Sequence, residues 1–392
     1  MELRRAVIII MDSLGVGEAP DAAEYGDSGA DTIGHVSEAV GGLDLPNFQK
    51  AGLGNLHPAI LGVPPTESPT MAVGRMREAS RGKDSTTGHW EIAGIVTTEP
   101  HATFTDTGFP PELVARLEQE TGRSFIGNRA ASGTVIIDEL GEEHLETGAL
   151  ILYTSGDSVL QIAAHDSVAP APDLYQVCEI AREIADDYRI GRIIARPFIG
   201  ELGEFHRTYD RKDFAMPPPE ATILDKAQEA GLQTYGVGKI DDLFTGRGLT
   251  DTVHTEGDRH GLDATLEAIA TVGQGLVFTN LVDLDMRYGH REDPEGYAGG
   301  LEVIDEYIPQ LVDALSGLDL LILTADHGTD PTDGDTDHTR EYVPLLVWSA
   351  TAAGVGLGAR EQYSDVAATI AEGFDLDPFP NGRSFLGDLR GA

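Results

Sequence analysis

Three stretches of the chain are continuously apolar and end on acidic residues. "RRAVIIIMD" ends at Asp12, "GLVFTNLVDLD" ends at Asp285, and "LDLLILTADHG" carries Asp326 and His327. Runs of Val, Ile and Leu bounded by turn residues are typical of strands buried on both faces of a parallel sheet. Stretches with helical periodicity, "ATILDKAQEAGL" and "LEVIDEYIPQLVDAL", lie between them. This alternation predicts an α/β core in which helices flank a mainly parallel sheet.

The middle of the chain has a different pattern. Two proline-containing stretches, "TTEPHATFTDTGFPPELV" (97–114) and "AMPPPEAT" (215–222), are typical of crossovers between domains. Between them lie the apolar segments "ALILYTS" and "RIIARPF" and a helical pattern around "LYQVCEIAREIADDY". We therefore predict a core domain formed by 1–98 and 217–392, with an α+β cap domain inserted at 99–216.

The composition is that of an ordinary globular protein, because 41% of the 392 residues are hydrophobic and 24% are charged. The longest apolar runs fall far short of the roughly 20 residues that a membrane span needs. Cys178 is the single cysteine, which excludes an intrachain disulfide and a metal site built from cysteines. We expect a reducing, cytoplasmic location.

The formal net charge of −39, from 27 basic and 66 acidic residues, is extreme. Such a surface repels polyanions, so nucleic acid and acidic membrane surfaces are not expected partners. One hypothesis is adaptation to high salt, where dissolved ions screen the self-repulsion. A phosphate ligand would need concentrated local positive charge from metal ions or from Arg and Lys side chains.

The acidic ends of the three apolar runs are candidate metal ligands. In open α/β sheets, ligands bind beyond the carboxyl ends of the strands. The candidate ligands are Asp12, Asp285, His290, Asp326, His327 and His338. Oxygen and imidazole donors without thiolates suit Mn²⁺, Zn²⁺ or Mg²⁺, and six of them suffice for two ions. The neighbouring acidic residues are expected to be solvated or to support the ligands: Asp27, Asp283, Asp330, Asp333, Asp335 and Asp337.

Three hydroxyl residues, Ser85, Thr86 and Thr87, follow one another in "GKDSTTGHWE". Ser and Thr often cluster at turns and helix N-termini for structural reasons alone. However, two nearby divalent cations would lower the pKa of a coordinated hydroxyl and stabilise in-line phosphoryl transfer. The six candidate ligands therefore favour a nucleophile in this cluster.

Several motifs together resemble the phosphopentomutase family of the alkaline phosphatase superfamily. They run nearly end to end and include "MDSLGVGEAPDAAEYGDSGADTIGH", "GKDSTTGHWEIAG", "YTSGDSVLQIAAH", "GRIIARPFIGE", "VGKIDDLF" and "LTADHGTDPTDGDTDHTREYVPLL". "ADHG" alone indicates only the superfamily, whereas "GHWE" and "TDHTREYVP" narrow the resemblance to this family.

The resemblance implies an α/β core with an inserted cap and an intramolecular phosphotransferase. Such enzymes interconvert ribose 1-phosphate and ribose 5-phosphate, and the 2-deoxy counterparts, through a phosphorylated hydroxyl residue and a bisphosphate intermediate. The implied cofactors are two Mn²⁺ ions and a sugar bisphosphate activator, such as glucose 1,6-bisphosphate or ribose 1,5-bisphosphate. Small pentose phosphates are the implied partners.

The resemblance also implies roles for individual residues. One metal would be held by Asp12, Asp326, His327 and the nucleophile, and the other by Asp285, His290 and His338. The nucleophile of the family directly follows "GKD" and is usually threonine, whereas here it is Ser85. Thr86 is the alternative nucleophile, and Thr87 is expected to hydrogen-bond at the turn. The implied contacts to the sugar and to a second phosphate are Ser155, Asp157, Val159, Arg192, Arg207 and Lys239.

Two alternatives within the superfamily remain open at this point. A metal-dependent phosphomonoesterase and a cofactor-independent phosphoglycerate mutase would share the two-metal site and the hydroxyl nucleophile. A binding protein without catalysis would lack a ligand or a nucleophile, and no candidate is missing if Ser85 replaces threonine.

Overall fold

The computed structural model describes residues 3–57, 59–155 and 158–390, and the chain divides into two compact units. The first unit comprises Met1–Glu99 and Pro218–Ala392, and the second comprises Pro100–Pro217. They are called the core and the cap below. Within the described ranges, none of the helices has both the length and the apolar character required to cross a lipid bilayer.

Strands and helices are labelled in chain order over the whole molecule. The core contains an eight-stranded sheet in the order β10-β9-β11-β1-β12-β13-β2-β14. Its strands are β1 (Arg5–Met11), β2 (Ala72–Met76), β9 (Gln233–Val237), β10 (Asp251–Val253), β11 (Gly275–Leu281), β12 (Asp319–Thr324), β13 (Val343–Trp348) and β14 (Gly356–Arg360). All neighbouring pairs are parallel except those that β13 forms with β12 and β2.

The core helices are α1 (Ala22–Tyr25), α2 (Thr32–Ala39), α3 (Pro46–Ala51), α4 (Ser85–Ile92), α8 (Ile223–Glu229), α9 (Ile240–Phe244), α10 (Asp258–Thr271), α11 (Pro294–Asp313) and α12 (Asp365–Gly373). Short helical turns lie at Leu53–Asn55, Leu284–Tyr288, Gly289–Arg291 and Asp388–Arg390. The helical patterns predicted from the sequence correspond to α8 and α11.

The centre of the core sheet explains the apolar runs in the sequence. Every residue of β1, β11 and β12 is buried, and β1 pairs in parallel with the other two strands. Even the charged residue of β1, Arg5, is buried, and its guanidinium lies 2.6 Å from the Asp319 carboxylate. The carboxyl ends of these three strands consequently meet at one edge of the sheet, where the predicted ligands follow.

The cap contains a six-stranded sheet in which β3-β4-β5-β6-β7 are neighbours and β8 also pairs with β6. Its strands are β3 (Phe125–Ala130), β4 (Leu150–Thr154), β5 (Val159–His165), β6 (Arg192–Ile199), β7 (His206–Arg207) and β8 (Lys212–Ala215). Its helices are α5 (Pro111–Thr121), α6 (Gly133–Thr147) and α7 (Ala171–Asp186). Apolar clusters cover both faces of the sheet, and the larger includes the buried Cys178.

Candidate metal centre and nucleophile

Three neighbouring strand ends deliver three buried carboxylates. Asp12 directly follows β1, Asp326 lies two residues beyond β12, and Asp285 lies in the turn after β11. Ligand atoms of Asp12, Asp326 and His327 all lie within 4.8 Å of one another. The same holds for ligand atoms of Asp285, His327 and His338. The fold therefore brings together candidate ligands that lie as far as 326 positions apart in the sequence.

Two of these carboxylates are incompletely satisfied within the described part of the chain. Asp12 Oδ1 and Asp326 Oδ2 are buried, and neither accepts a hydrogen bond there. Buried carboxylate oxygens without a partner are costly, because they lose their hydration without compensation. The backbone of Ser13, which follows Asp12, has a φ of 79°, a strained conformation for a residue other than glycine.

The three imidazoles share one orientation. The Nδ1 atoms of His290, His327 and His338 lie 2.6, 3.1 and 2.7 Å from the carbonyl oxygens of Thr336, Gly328 and Lys83. A carbonyl oxygen only accepts hydrogen bonds, so each Nδ1 carries a hydrogen and each Nε2 points away from that carbonyl, with a proton or, in the neutral ring, a lone pair. Metal-binding histidines are held in this way by a hydrogen bond from the second ring nitrogen.

Each Nε2 atom faces the carboxylates. His327 Nε2 lies 3.3 Å from Asp326 Oδ2 and 3.5 Å from Asp12 Oδ1. His290 Nε2 and His338 Nε2 lie 3.3 and 3.4 Å from the carboxylate oxygens of Asp285, and 3.2 Å from each other. These close contacts between carboxylate oxygens and Nε2 atoms need positive charge, which protons on the rings or bound cations would supply.

The pKa shifts of these residues also indicate that the group requires positive charge. Burial lowers the pKa of His327, but the charges of Asp326, Asp12 and Asp285 outweigh it and raise the pKa to about 10. Burial also disfavours the Asp285 carboxylate, yet hydrogen bonds from His290 and His338 hold its pKa well below the usual range. Three carboxylates and three imidazoles are a donor set for hard or borderline divalent cations, and the residues present fit such ions.

The hydroxyl cluster lies against this group at the start of α4. Ser85 is the first residue of the helix, and its Oγ lies 3.2 Å from His327 Nε2. Asp84 caps the helix by accepting a hydrogen bond from the Thr87 N–H at 3.0 Å, and the Thr87 hydroxyl donates to the same carboxylate at 2.7 Å. Thr86 is half-buried. Of the three hydroxyls, the one on Ser85 is therefore within hydrogen-bonding distance of a candidate ligand.

Sequence reasoning missed the polar residues that hold this group in place. Asn280, at the end of β11, donates from Nδ2 to Asp12 Oδ2 at 3.0 Å and to His89 Nε2 at 3.1 Å. His89 Nδ1 in turn lies 2.8 Å from the Ser85 carbonyl oxygen and 3.1 Å from Asp326 Oδ2. An amide within an otherwise apolar buried strand was the available signal, because buried polar groups require partners.

Two further acidic residues of the family motifs are buried and anchor loops. Glu91 of "GHWE" accepts hydrogen bonds from the backbone N–H groups of Ala79, Ser80 and Tyr363. Glu341 of "TREYVP" accepts from the N–H groups of Gly17 and Thr32 at 3.1 and 3.0 Å. These carboxylates fix the chain segments on either side of the metal centre.

The acidic segment 330–337 is only partly solvated. Asp330 is buried and accepts from His35 Nδ1 at 2.5 Å. Lys83 Nζ lies 3.2 Å from Asp27 and 3.1 Å from Asp337, so "GKDS" is tied to this segment on the side of His338. Asp283 is also buried, and it accepts from the Asp258 N–H at 3.0 Å.

The predicted substrate contacts fall into two groups. Lys239 lies in the core, where its Nζ is 3.7 Å from Asp12 Oδ2. In the cap, Ser155 follows β4, Val159 begins β5, and Arg192 lies 3.5 Å from Asp213. Arg207 lies on β7, where it lines a cavity of the cap. Asp157 lies outside the described residues.

Comparison with known proteins defines the class first. Residues 4–378 match the model of the metalloenzyme superfamily, so the chain belongs to this superfamily. Among solved structures, the phosphoglycerate mutase of Leishmania mexicana superposes with a TM-score of 0.53 at 14% identity, covering 98% of this chain and 97% of that one. The predicted fold class, an alkaline-phosphatase-like α/β core with an inserted cap, is confirmed. Divalent metal use, as predicted, follows from the superfamily and the ligand groups.

Relatives of known name define the family within that class. The phosphopentomutase of Caldanaerobacter subterraneus is 54% identical, over 99% of this chain and 98% of its own length. The phosphopentomutase of Kosmotoga olearia is 52% identical, over 98% of this chain and 99% of its own. The chain belongs to the phosphopentomutase family, as the motifs indicated, and is therefore an intramolecular phosphotransferase of the isomerase class.

Proposed function

We propose that the enzyme interconverts ribose 1-phosphate and ribose 5-phosphate, and their 2-deoxy counterparts, through a phosphoenzyme and a bisphosphate intermediate. The observation that carries this proposal is the position of Ser85 Oγ, 3.2 Å from His327 Nε2 beside three buried carboxylates. The names of the relatives supply the pentose phosphate substrate.

Two divalent cations, which we propose to be Mn²⁺, would be held by the six candidate ligands. Asp12, Asp326 and His327 would hold one together with Ser85, and Asp285, His290 and His338 the other. When bound, such ions polarise phosphoryl oxygens and lower the pKa of a coordinated hydroxyl. Oxygen and imidazole donors without thiolates support Mn²⁺, although Zn²⁺ and Mg²⁺ share these preferences.

Ser85 would carry the phosphoryl group between turnovers. A hydroxyl of the sugar phosphate attacks phosphorus, the bond to Ser85 Oγ breaks, and the proton lost by the attacking hydroxyl is matched by one that Ser85 regains. The bisphosphate then reverses its orientation, and Ser85 Oγ takes the other phosphoryl group. Ser85 begins α4, so the N–H groups of the first turn and the helix dipole favour the phosphate in both steps.

The positions of the neighbouring hydroxyls support Ser85 over Thr86 and Thr87. The Thr87 hydroxyl is engaged with Asp84. The Ser85 carbonyl oxygen is tied to His89, which also faces Asp326, so the Ser85 backbone has a fixed position beside the ligands. A serine lacks the β-methyl group that restricts rotation about χ1 in threonine, and these contacts compensate by fixing the backbone instead.

The location and partners are also part of the proposal. The buried free thiol of Cys178 supports a reducing, cytoplasmic compartment. The net charge of −39 supports small pentose phosphates as partners and argues against nucleic acid.

The deciding experiment incubates the enzyme with ribose 5-phosphate, Mn²⁺ and a trace of glucose 1,6-bisphosphate or ribose 1,5-bisphosphate. The expected product, followed by ³¹P NMR, is ribose 1-phosphate, with a dependence on the bisphosphate. Free phosphate as the main product would indicate a phosphomonoesterase, and conversion of 3-phosphoglycerate to 2-phosphoglycerate would indicate the other mutase. Phosphopeptide mapping after treatment with the bisphosphate identifies the nucleophile in the same preparation.

A further inference from the structure

Ser13 has an unusual backbone conformation for its place in the chain. It lies just beyond β1, and its φ is 79°. Other residues with a positive φ, such as Thr245 and Glu292, end helices, where the left-handed conformation recurs. Ser13 is instead the third residue of a turn in which the Leu14 N–H donates to the Met11 carbonyl oxygen at 3.0 Å. With a positive φ, this position usually requires glycine.

The chain on both sides of Ser13 is fixed, so the turn cannot relax by itself. The Asp12 N–H donates to the Leu281 carbonyl oxygen at 3.0 Å, which continues the pairing of β1 with β11. The Val16 N–H donates to the Tyr342 carbonyl oxygen at 2.8 Å. Ser13 itself is fully buried. Strain of this kind persists only where the surroundings impose the conformation, and it clusters at functional sites.

Tyr297 of α11 contacts the turn through its hydroxyl. The residue is fully buried, and Tyr297 Oη donates a hydrogen bond to the Ser13 carbonyl oxygen at 2.9 Å. Ser13 Oγ lies 3.3 Å from Tyr297 Oη, and it is the donor in this second contact because the phenol hydrogen already points to the carbonyl. Burial raises the pKa of the Tyr297 phenol well above its usual value, so the hydroxyl keeps its hydrogen. The two residues therefore form a reciprocal pair.

The strained turn directs a backbone donor to a candidate metal ligand. The Ser13 N–H donates to Asp326 Oδ1 at 3.3 Å. The other oxygen, Asp326 Oδ2, accepts no hydrogen bond within the described residues and lies 3.3 Å from His327 Nε2. Because Ser13 also follows Asp12 in the chain, this one turn joins two of the carboxylates proposed to hold the same cation. Its conformation therefore sets how those carboxylates are placed relative to each other.

We propose that Tyr297 and Ser13 are positioning residues for the metal centre, which hold the strained turn so that Asp12 and Asp326 face one cation. Neither residue was among the site residues that the sequence indicated. The inference rests on the proposed function, because both residues act through ligands of that metal centre.

The test measures the affinity of the full chain for Mn²⁺ by calorimetric titration after removal of metal with EDTA. Tyr297→Phe keeps the buried ring and removes the hydroxyl, and it should weaken binding at one of the two proposed sites by about ten-fold, as is typical of residues that support metal ligands. Tyr307→Phe is the matched control and should leave the affinity unchanged. It removes a hydroxyl from the same helix, but that hydroxyl bonds to Asp263 on the surface.

Two backgrounds separate positioning from a general loss of stability. Glycine adopts a positive φ without strain, so in the Ser13→Gly background Tyr297→Phe should weaken Mn²⁺ binding by no more than about two-fold. Ser13→Ala also removes the serine hydroxyl but keeps the strain. In that background the effect of Tyr297→Phe should stay near about ten-fold.

Equal Mn²⁺ affinity in the wild type and Tyr297→Phe would overturn the proposal, and so would equal effects of Tyr297→Phe in the two backgrounds. If the wild type binds no Mn²⁺, the proposed metal centre fails as well, whereas a wild type that binds two ions and is unaffected by Tyr297→Phe contradicts only the positioning role. Circular dichroism shows whether each variant is folded. If Tyr297→Phe is unfolded, recovery of folding and Mn²⁺ binding with Ser13→Gly but not with Ser13→Ala supports the proposal, and recovery with neither overturns it.

Discussion

The metal centre of the core and an arginine-lined cavity of the cap have opposite chemistry. The first contains three buried carboxylates and three imidazoles whose Nε2 atoms face them, so it requires positive charge. The second is a cavity lined by Arg196, Arg207 and Arg211, so it concentrates positive charge. Each region concentrates one kind of group and leaves it incompletely paired within its own unit.

The two regions also differ in how the chain constructs them. In the core, the three carboxylates and His327 follow shortly after the buried strands β1, β11 and β12, so the ends of the strands fix their positions. In the cap, Arg196, Arg207 and Arg211 come from β6, β7 and a connecting segment. Strand ends leave a motif in the sequence, whereas a pocket assembled from separate segments does not. The comparison shows why sequence patterns locate the first kind of site more readily.

Replacing Ser85 should have the largest effect on mutase activity. Ser85→Ala removes the proposed nucleophile, and mutase activity should fall by at least about a thousand-fold, as is typical when a catalytic nucleophile is removed. Divalent metal content should remain, because Ser85 contributes one atom to the metal centre. The measurements are ³¹P NMR turnover and metal analysis.

Thr86→Ala is the matched control for Ser85→Ala, because it removes a neighbouring hydroxyl of the same cluster. It should retain most of the activity, and Ser85→Thr should retain measurable activity. Full activity in Ser85→Ala combined with inactivity in Thr86→Ala would move the nucleophile by one residue.

Removing one ligand charge should have the next largest effect. Asp285→Asn preserves the shape of the side chain, but it removes the charge that faces His290 and His338 at 3.3 and 3.4 Å. Affinity for one of the two cations should fall by about a hundred-fold or more, since even supporting residues around metal ligands contribute ten- to a hundred-fold. Direct metal titration measures this change.

The exposed Asp313→Asn, at the end of α11, controls for the loss of one negative charge from the chain. Two tightly bound cations in Asp285→Asn would contradict the assignment of Asp285 as a ligand.

The parts of the fold that could be predicted are those in which the sequence itself carries a strong pattern. β1, β11 and β12 are buried throughout and mostly apolar, because both faces of the central sheet are covered, and α11 has clear helical periodicity. The weak strands β10 and β14, in contrast, have mostly exposed residues, and β14 contains two glycines. Such strands depend on pairing with neighbours that are distant in the sequence, so no local pattern indicates them.

Residues of the candidate site likewise differ in how clearly the sequence indicates them. The six candidate ligands lie in short motifs after strands, so their residue types and positions were sufficient to mark them as candidates. Tyr153 and Arg196 lie within strands whose neighbours are apolar, and Tyr153 is indistinguishable from core packing in the sequence. The proximity of its hydroxyl to Gly133 and Arg207 becomes evident only in three dimensions.

Asn280→Ala tests how the core positions its candidate metal ligands. It removes the amide that joins Asp12 to His89, and both metal affinity and activity should fall by about ten- to a hundred-fold. Metal titration distinguishes this positioning role from a simple loss of stability. Thr279→Val is the matched control, because Thr279 is the preceding buried residue of β11 and bonds to Thr265 instead. Equal metal affinity in the two variants would exclude the positioning role of Asn280.

The prediction with the smallest expected effect concerns a buried acidic group of the core outside the metal centre. It tests whether the crowding of such groups extends that far. Asp258, which begins α10, is buried, and its Oδ2 forms no hydrogen bond within the described residues. Burial, together with the charges of Asp283 and Asp12, raises the pKa of Asp258 from 3.8 to about 7. Between these values the folded protein holds a proton that the unfolded chain has released, so this group's contribution to stability falls as the pH rises.

Asp258→Asn has nearly the same shape and cannot titrate. Relative to the wild type, its free energy of unfolding should therefore increase from pH 5 to pH 8, with a slope of at most about 1.4 kcal/mol per pH unit. Denaturant unfolding at a series of pH values in one buffer and salt concentration measures this difference. The cap offers a matched control in Asp173→Asn, in the first turn of α7, because this substitution removes an exposed carboxyl group from the start of a helix. A difference that stays constant with pH for Asp258→Asn would mean that its carboxyl group is ionised throughout, and the acidic crowding would then be confined to the metal centre.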